Sequence, residues 1–533
     1  MAAEGDRLVG GIAVAPHHLA AQSARAVLEE GGDAIEAMVA AAACIAVVYP
    51  HMNGIGGDAF WLVHEPCQAP RAIDACGPAP ATLDADFYRK RGLSAIPVRG
   101  PLAANTVAGT IGGWDLALRF SRERWGGRLA LGRLLSDAIG YAEDGVPTTR
   151  SQQASTQAKL DEVGRQPGFA GRFLPQGRVP REGEAFVQRP MAATFRRLAE
   201  AGLDDFYRGE LARSIAGELA AVGSPVTAAD LAAYSAEWTV PLALRHRRGT
   251  LHNMTPPTQG VVSLMILGVA ERLCVEAMDP LGADYVHALV EATKQAFGVR
   301  DREVTDPRYM KVDAQSLLEP AALDALAAAV DMKRARPWGQ RTAAGDTVWM
   351  GTIDAHGRAV SFIQSIYHEF GSGVVLPSSG INWQNRGCSF ALDPAARNAV
   401  APGRKPFHTL NPALALLADG RTMVYGTMGG DGQPQTQAAV FTRYVGAGLG
   451  IQESVSAPRW LLGRTWGSMS ESLKLESRFD PRVVAELARR GHEVELVGDF
   501  DEVVGHAGAL VRHPSGRLEG GFDPRSDGAV AGP

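Results

Sequence analysis

The chain has 533 residues, of which 46% are hydrophobic and 21% charged, and its formal net charge is -5 at pH 7. This length exceeds that of one average domain, the composition is that of a folded globular protein, and the charge argues against a polycation that binds nucleic acid. The five cysteines are scattered and show no C-x-x-C spacing, which argues against a disulfide framework and a structural zinc site and favours a reducing cytoplasm.

No segment predicts a secretory signal or a membrane span. The first residues, "MAAEGDRLVGG", carry acidic groups and lack an apolar core, so no signal peptide is expected. The stretch richest in apolar residues, Ala34 to Pro50, is mostly alanine, contains a glutamate and ends at a proline. We therefore predict a buried helix there and no membrane partner.

The first two-thirds of the chain predict mixed helices and strands. A strand over Gly10–Val14 precedes a helix from about His18, and a Gly-rich turn at Gly54–Gly57 leads into the next strand. The alternation over 239–254 predicts strands, with the Arg-rich 245–249 as a strand end or turn. Further helices are predicted over Leu129–Gln157, Met191–Val222, the end of 256–273, and, as a long amphipathic helix, 282–304.

After the polar stretch 336–346, the pattern is mostly that of strands. These are predicted within 347–354, 359–367, 372–376, 413–418 and 422–428. The chain then finishes with a helix over 480–491 and strands over 492–497 and 508–513. This order of elements indicates an α+β fold in layers, with a central antiparallel sheet.

The segment Asp354 to Gly357, "DAHG", has the pattern of a three-residue hairpin loop with glycine in the left-handed position. Such a loop pairs Asp354 with Arg358, and that register places Thr347 opposite Ser365. One interpretation is an ordinary cross-strand pair of hydroxyls, which would stabilise the sheet slightly.

The other interpretation is chemical. A hydroxyl is a weak nucleophile near neutral pH and needs a base. A threonine at a chain terminus carries that base as its own α-amine, whose reference pKa is about 8. Thr347 could become terminal if its hydroxyl attacked the Asp346 carbonyl and the resulting ester hydrolysed.

The region around this hairpin resembles the start of the small subunit of the gamma-glutamyltranspeptidase family, whose members cleave themselves before a threonine. Six further segments follow in the family's order: 52–63, 72–81, 256–267, 304–313, 406–416 and 425–435. The resemblance implies a four-layer αββα sandwich of the N-terminal-nucleophile (Ntn) hydrolases. It also implies a zymogen that yields a large subunit, 1–346, and a small subunit, 347–533, which stay together; a dimer of such heterodimers is a further expectation.

The resemblance also assigns roles in catalysis. Thr347 matches the nucleophile, and the Asp346–Thr347 bond matches the site of self-cleavage. Ser365 matches a family threonine whose hydroxyl contacts the nucleophile and its amine. Gly429 and Gly430 match the paired glycines of the oxyanion hole, where backbone N–H groups can approach a tetrahedral oxyanion closely. Without the resemblance, the segment "MGGDG" would be interpreted as an ordinary turn.

The chain departs from the true transpeptidases where they hold a glutamyl group. Cys76 stands where the family has an arginine that binds the α-carboxylate, and near Ser389 the carboxylate that grips the α-ammonium is missing. Arg386 is new, and His408 and Thr409 replace a pair of serines. The alternatives are a surface salt bridge for Arg386 and a hydrogen-bonded core position for His408.

These departures predict a substrate with a carboxylate but no α-amino group, because arginine binds carboxylates with two parallel hydrogen bonds. Arg386, with His408 and Thr409, is the expected carboxylate site, and Tyr367 replaces a family amide that contacts substrate. The expected reaction is hydrolysis of a small acid amide such as oxamate through an acyl-enzyme.

Other functions stay open at this point. They are a gamma-glutamyltransferase or glutathione hydrolase, a glutaryl-type cephalosporin acylase, and an unprocessed homologue that acts as a binding scaffold. Gly54–Phe60 lacks the spacing of a nucleotide-binding loop and "YHEF" over 367–370 lacks the second histidine of a zinc protease, so no cofactor and no metal are expected.

Overall fold

The computed structural model describes residues 10–339, 346–463 and 470–532, without the side chain of Asp346. The strands are β1 Ile12–Ala15, β2 Asp58–His64, β3 Arg71–Ala75, β4 Val146–Pro147, β5 Ala185–Phe186, β6 Glu237–Thr239, β7 Leu242–His246, β8 Gly249–Asn253, β9 Asp346–Ile353, β10 Ala359–Tyr367, β11 Ala413–Leu417, β12 Thr422–Thr427, β13 Trp460–Leu462, β14 Leu473–Glu476, β15 Val494–Val497, β16 Ala507–Arg512, β17 Leu518–Phe522 and β18 Ala529–Ala531.

The α-helices are α1 His18–Glu29, α2 Ala34–Val48, α3 Ala85–Arg89, α4 Thr110–Phe120, α5 Leu131–Asp144, α6 Arg150–Val163, α7 Phe169–Phe173, α8 Arg189–Ala201, α9 Asp205–Arg208, α10 Glu210–Val222, α11 Ala228–Ala233, α12 Gly260–Arg272, α13 Ala283–Glu303, α14 Pro320–Ala328, α15 Gly432–Phe441, α16 Ile451–Ser456 and α17 Pro481–Arg489.

Two large antiparallel sheets form the centre of the fold. One has seven strands in the order β18-β1-β9-β10-β2-β3-β6, and the other has six in the order β17-β16-β12-β11-β8-β7. In the seven-stranded sheet, β9, β10 and β18 come from residues after 346, and the other four strands come from residues before it. Each large sheet therefore combines both halves of the sequence.

The sheets stack face to face, and helices cover their outer faces. In β2, Trp61 and Val63 belong to the apolar cluster beneath α1, α2 and α4, whereas Phe60 and Leu62 pack with residues of the opposite sheet. This division follows from the two-residue period of a strand. Helices α12, α13 and α15 cover the six-stranded sheet through a third cluster. The layers are thus αββα, as predicted, and a side chain like Phe60 contributes about 1.5–3 kcal/mol by its burial.

Helix α2 shows how the sequence fixes a core element. The Asp33 carboxylate accepts from the N–H groups of Ile35 (2.9 Å) and Glu36 (3.0 Å), and the Glu36 carboxylate accepts from the Asp33 N–H at 3.0 Å. This capping box begins a helix whose residues are all buried, which suits its uniformly apolar composition. The expectation of a buried helix is confirmed, and none of the helices described here has the length and apolarity to span a membrane.

Three expectations about secondary structure differ from the model. Residues 372–376 do not form a strand; only an isolated bridge joins Val375 to Asn382. The part of the chain after Thr347 contains elements that the sequence pattern does not predict, namely the buried helix α15 shortly after β12 and the strands β13, β14, β17 and β18. The helix α13 is not amphipathic in the usual sense: nearly every residue from Tyr285 to Arg300 is buried, since α12, α14, α15 and α17 surround it.

Candidate active site

The hairpin of β9 and β10 adopts the predicted loop. The Asp354 N–H donates to the Arg358 carbonyl at 3.0 Å, and Gly357 has a φ of +79°. The predicted register holds for six successive pairs, from Ile353–Ala359 to Val348–Gln364. Beyond these pairs the register shifts, and Asp346 pairs with Tyr367. A β-bulge therefore replaces the expected direct pairing of Thr347 with Ser365.

The bulge gives the residues after Gln364 an unusual conformation. The Tyr367 N–H donates to Ser365 Oγ at 2.8 Å, and Tyr367 has a φ of +82°. A non-glycine residue there is strained by about 1–3 kcal/mol, and such strain concentrates at functional sites. Thr347 and Ser365 are both fully buried. The bulge thus keeps both hydroxyl residues at the same end of the hairpin while turning Tyr367 away from the regular ladder.

The Gly-rich turn before β2 packs against this bulge. A Cβ on Gly57 would lie 2.0 Å from the Ser365 carbonyl oxygen, so only glycine fits there. The turn leads into Asp58, which is the register partner of Ser365 in the β2–β10 pairing. Asp58 and Ser365 thereby sit side by side at the end of the sheet, although they are about three hundred residues apart in sequence.

The loop from Met428 to Asp431 joins the end of β12 to the first turn of α15. Gly429 and Gly430 have φ values of +109° and +53°, which glycine adopts freely. Within the described part of the chain, neither glycine N–H donates a hydrogen bond. These N–H groups lie at the start of a buried helix, where the helix dipole favours negative charge. The loop can therefore accept an oxyanion.

Gln259 holds this loop against the segment around Thr409. Its Nε2 donates to the Gly430 carbonyl at 2.8 Å and to the Thr409 carbonyl at 2.9 Å. Its Oε1 accepts from Arg300 Nη1 at 3.0 Å, and Arg300 is also paired with Asp431 at 2.6 Å. Gln259 is fully buried. Gln259 is not recognisable as a site residue from the sequence, because nothing in the pattern around it indicates two carbonyl partners on remote loops.

We predict that Gln259→Leu lowers kcat by roughly 10- to 100-fold, because it releases the Gly430 carbonyl. The KM should change less, because Gln259 bonds only the backbone of Thr409 in the predicted carboxylate site and not its side chain. Gln259→Glu leaves the shape intact but places an acceptor against two carbonyls, and it should be at least as damaging. Steady-state kinetics on both variants, with circular dichroism to confirm folding, tests this. A change in KM alone would contradict the role.

Arg386 is buried in spite of its charge, with 1% of its surface exposed. Its Cζ lies 3.8 Å from the centre of the Tyr367 ring, and its Nη1 donates to Thr409 Oγ1 at 3.4 Å. Its Nε and Nη2 have no hydrogen-bond partner in the described structure, and none of the described acidic residues forms an ion pair with it. The alternative of a surface salt bridge is therefore wrong.

The two unpartnered nitrogens define one edge of the guanidinium. Nε–H and Nη2–H point the same way and form the fork that carboxylates bind with two parallel hydrogen bonds. Leaving buried donors unpaired is costly, typically by 1–3 kcal/mol and by more for charged groups. Burial also lowers the pKa of Arg386. An anion that fills this edge would remove that cost.

His408 and Asp58 form a fully buried pair beside Arg386. His408 Nε2 and Asp58 Oδ2 are 2.9 Å apart, while Asp58 Oδ1 accepts from the N–H groups of Gly77 (2.9 Å) and Gly109 (3.1 Å) and from Gln384 Nε2 (3.1 Å). His408 Nδ1 has no partner in the described structure. His408 is thus hydrogen-bonded in the core, as one alternative had it, and still keeps one ring nitrogen available.

Burial controls the ionisation of both members of the pair. Desolvation raises the pKa of Asp58 to about 7, although its N–H donors and the charge of Arg386 oppose the shift. Desolvation, and then the charge of Arg386, moves the pKa of His408 well below its usual range. The positive charge of Arg386 is therefore the dominant formal charge in this part of the site.

Among the residues that the structure describes, two groups of side chains place the atom types that bind metal ions close together. Asp58, Cys76 and His408 place one such atom each within 4.8 Å of one another. The Asp58 and His408 atoms already bond each other, however, and the cation of Arg386 lies beside them, so the arrangement suits a hydrogen-bonded pair better than a metal centre.

The second group, His287, Glu291 and His492, is occupied in the same way. His287 Nδ1 and His492 Nε2 are 2.8 Å apart, and a Glu291 carboxylate oxygen accepts from Lys294 Nζ at 2.7 Å. A lysine cation beside the carboxylate disfavours a metal cation there. Both groups are therefore explained by hydrogen bonding.

A continuous set of contacts joins five of the predicted site residues, Ser365, Tyr367, Arg386, Thr409 and Gly430. It runs from Ser365 through the Tyr367 N–H, from the Tyr367 ring to Arg386, and from Arg386 to Thr409. Gln259 then links Thr409 to Gly430. The model thus brings together residues that the sequence separates widely. The arrangement offers a hydroxyl, backbone N–H groups without a hydrogen-bond acceptor in the described structure, and an arginine with an open edge, in one buried region.

Comparisons with known proteins agree with this geometry. A family model described as Gamma-glutamyltranspeptidase matches residues 20–533. An oxamate amidohydrolase proenzyme of Klebsiella pneumoniae is 60% identical over 522 residues, 98% of each chain, and a glutathione hydrolase-like YwrD proenzyme of Bacillus subtilis is 39% identical over 520 residues, 97% of this chain and 98% of the relative. A solved cephalosporin acylase of Bacillus halodurans has a TM-score of 0.89 at 33% identity, covering 98% of this chain and 96% of its own.

Proposed function

Because this chain belongs to the gamma-glutamyltranspeptidase family, we propose that it is a self-cleaving amidohydrolase with Thr347 as nucleophile and a small carboxylate-bearing amide, such as oxamate, as substrate. The buried, open edge of Arg386 carries the substrate part of this proposal. The printed names of the relatives as proenzymes support the self-cleavage, and the name of the Klebsiella relative supports oxamate.

In the proposed maturation step, the Thr347 hydroxyl attacks the Asp346 carbonyl carbon and displaces the amide nitrogen. The resulting ester takes up water and splits into an Asp346 carboxylate and a free Thr347 α-amine with its hydroxyl restored. The scissile bond lies at the first position of β9, next to the bulge. The products are the chains 1–346 and 347–533.

In the proposed catalytic step, the Thr347 α-amine accepts the proton from its own hydroxyl, and Oγ attacks the substrate carbonyl. The N–H groups of Gly429 and Gly430 bind the tetrahedral oxyanion, where one such donor contributes about 3–4 kcal/mol. Ammonia leaves with the returned proton, and water then releases the acid from the acyl-enzyme. Ser365 orients the amine and the nucleophile.

In the proposed substrate complex, Arg386 binds the carboxylate through Nε and Nη2, while Thr409 fixes Nη1 and the Tyr367 ring supports one face of the guanidinium. A gamma-glutamyl group would need a carboxylate for its α-ammonium. Of the described acidic residues near the site, Asp58 is committed to its hydrogen bonds and Asp431 to Arg300. This argues for an acid without an α-amino group.

We predict that a panel of amides separates the alternatives. Ammonia release from oxamate, malonamate, succinamate and glutaramate should show kcat/KM highest for oxamate, because a short acid keeps the amide carbon near Thr347 while the carboxylate reaches Arg386. A gamma-glutamyl anilide should be cleaved at least about 100-fold less efficiently. Preference for the anilide would support a transpeptidase, and preference for glutaramate would support a glutaryl acylase.

The proposal extends to location and assembly. The five cysteines are all free thiols, and Cys67 and Cys274 are exposed, which supports a reducing compartment such as the cytoplasm. Pairing of two processed heterodimers stays a prediction, which light scattering on the purified protein tests.

A further inference from the structure

The Asp58–His408 pair lies beside Arg386 but takes no part in the proposed attack of Thr347 on the substrate carbonyl. Both side chains are fully buried, and each is fixed by contacts from different parts of the chain. Three N–H donors hold Asp58 Oδ1, and the centres of the His408 and Phe60 rings lie 4.9 Å apart in an edge-on arrangement. The backbone N–H of His408 donates to the Pro257 carbonyl at 2.9 Å. These contacts hold both side chains in place through groups from several parts of the chain.

The charged and titratable groups that face the pair are few. Arg386 lies near both members and affects the pKa of each. Cys76 is buried beside them, and burial raises the pKa of its thiol, so it stays neutral. Tyr207 and Tyr234, from the helical layer, also face Asp58 and stay neutral, because burial raises the pKa of each hydroxyl. Titration in this region therefore centres on Asp58 and His408.

The hydrogen bond between the two side chains couples their protons to the free ring nitrogen. With one shared proton, Asp58 is a carboxylate, His408 Nε2–H donates to it, and Nδ1 is a bare acceptor. With one more proton, Nδ1 carries a hydrogen and becomes a donor, whichever member of the pair holds the proton between them. The second proton therefore changes the free ring nitrogen from an acceptor to a donor, and the nearby charge of Arg386 favours an anion in the same region.

We propose that Asp58 and His408 form a proton-dependent gate for the substrate carboxylate: the site binds the anion tightly when the pair holds its second proton, and His408 Nδ1–H then donates to the carboxylate alongside Arg386. This inference rests on the proposed function, because it takes the anion at Arg386 to be the substrate. Asp58 is a positioning residue here, since it reaches the substrate only through the histidine.

The first test uses the wild-type protein and oxalate, a non-reacting dianion that retains the carboxylate of oxamate. Isothermal titration in buffers of different ionisation enthalpy should show uptake of close to one proton per bound oxalate near pH 8. The Kd should rise about tenfold per pH unit above the pKa of the pair. Binding without proton uptake, or a Kd independent of pH, overturns the proposal.

The second test is Asp58→Asn. Its Oδ1 can keep the three N–H donors, and its Nδ2–H can donate to His408 Nε2, which fixes the hydrogen on Nδ1 at every pH. Oxalate binding by this variant should be independent of pH between about 6 and 9, with no proton uptake, and tighter than that of the wild type at the alkaline end. A merely structural role for Asp58 would weaken binding at all pH values instead.

His408→Gln is the matched variant for the histidine. It removes Nδ1 and supplies no fixed donor in its place, so the KM should be raised at every pH and should lose the tightening at lower pH, even though Asp58 can still take up a proton. If Asp58→Asn keeps the proton uptake of the wild type, the proton goes to another group, such as the Thr347 amine, and the gate is wrong. If the wild type binds oxalate with proton uptake but does not hydrolyse oxamate, the proposed substrate fails while the gate stands.

Discussion

We expect the Thr347→Ala variant to accumulate as one full-length chain and to lose amidase activity by about 10⁴-fold or more, because both reactions need the same hydroxyl. Denaturing electrophoresis of the wild type should show two chains, 1–346 and 347–533. Mass spectrometry locates the new N-terminus at Thr347. Ammonia release from oxamate then measures the loss of activity in the same preparation.

Thr347→Ser is the matched control for this prediction. It keeps a hydroxyl near the start of β9. We expect this variant to cleave itself more slowly than the wild type and to retain an amidase activity within about 100-fold of it. The alanine variant should keep the wild-type circular dichroism spectrum, since it removes only a few atoms next to the hairpin. A variant that is folded and still splits at 346/347 would show that another group performs the attack.

The second large effect is expected at Arg386. Arg386→Met keeps an apolar stem over the Tyr367 ring but removes the fork, and we expect KM for oxamate to rise by roughly 10²- to 10³-fold, as for a lost buried charge pair. Arg386→Lys retains the charge but cannot form the two parallel hydrogen bonds, so its KM should lie between those of the wild type and of Arg386→Met. Both variants should still cleave themselves, because the carboxylate site is not needed for the scission.

Arg443 provides a matched control for Arg386. It too is a fully buried arginine near aromatic rings, with Tyr285 and Trp460 each 5.6 Å from its Cζ, and one unpartnered nitrogen in the described structure. It lies in the helical layer beyond the six-stranded sheet. Arg443→Lys should lower the free energy of unfolding by about 1–3 kcal/mol and leave KM unchanged. If both arginines affect stability alone, the carboxylate role of Arg386 is contradicted.

The sequence predicted the parts of the site that depend on neighbouring residues. The loop Asp354–Gly357 fixes the register of β9 and β10 through local turn chemistry, and six pairs follow from it. The bulge at Ser365 was not predictable, because it carries no glycine and arises where the remote Gly57 packs against the strand. The register that follows from the loop therefore places Thr347 and Ser365 at the same end of the hairpin, which is right, but their direct pairing is wrong.

The parts that the sequence did not reveal depend on contacts across the whole chain. Asp58 and His408 are 350 positions apart, and Gln259 bonds Gly430 at a separation of 171. The pattern before Asp58 predicts a Gly-rich turn that leads into a strand, which is right, but it gives no sign that the carboxylate belongs to the site. Single polar residues next to glycines are too common for local sequence to distinguish them. The relation of Asp58 to the site becomes visible only in the folded structure, where the pairing of β2 with β10 places Asp58 opposite Ser365.

The strand order of the seven-stranded sheet affects how the two chains that the proposed cleavage yields would stay together. Strand β1 lies between β9 and β18, and β10 lies between β9 and β2, so strands from the two parts of the chain meet at three places in the sheet: β18–β1, β1–β9 and β10–β2. Pulling the two pieces apart would break whole ladders of hydrogen bonds at several places at once. We expect that the two chains do not dissociate on dilution and that they unfold together in one cooperative transition. Chains mixed after denaturation should reassemble poorly, so the proposed cleavage would be irreversible.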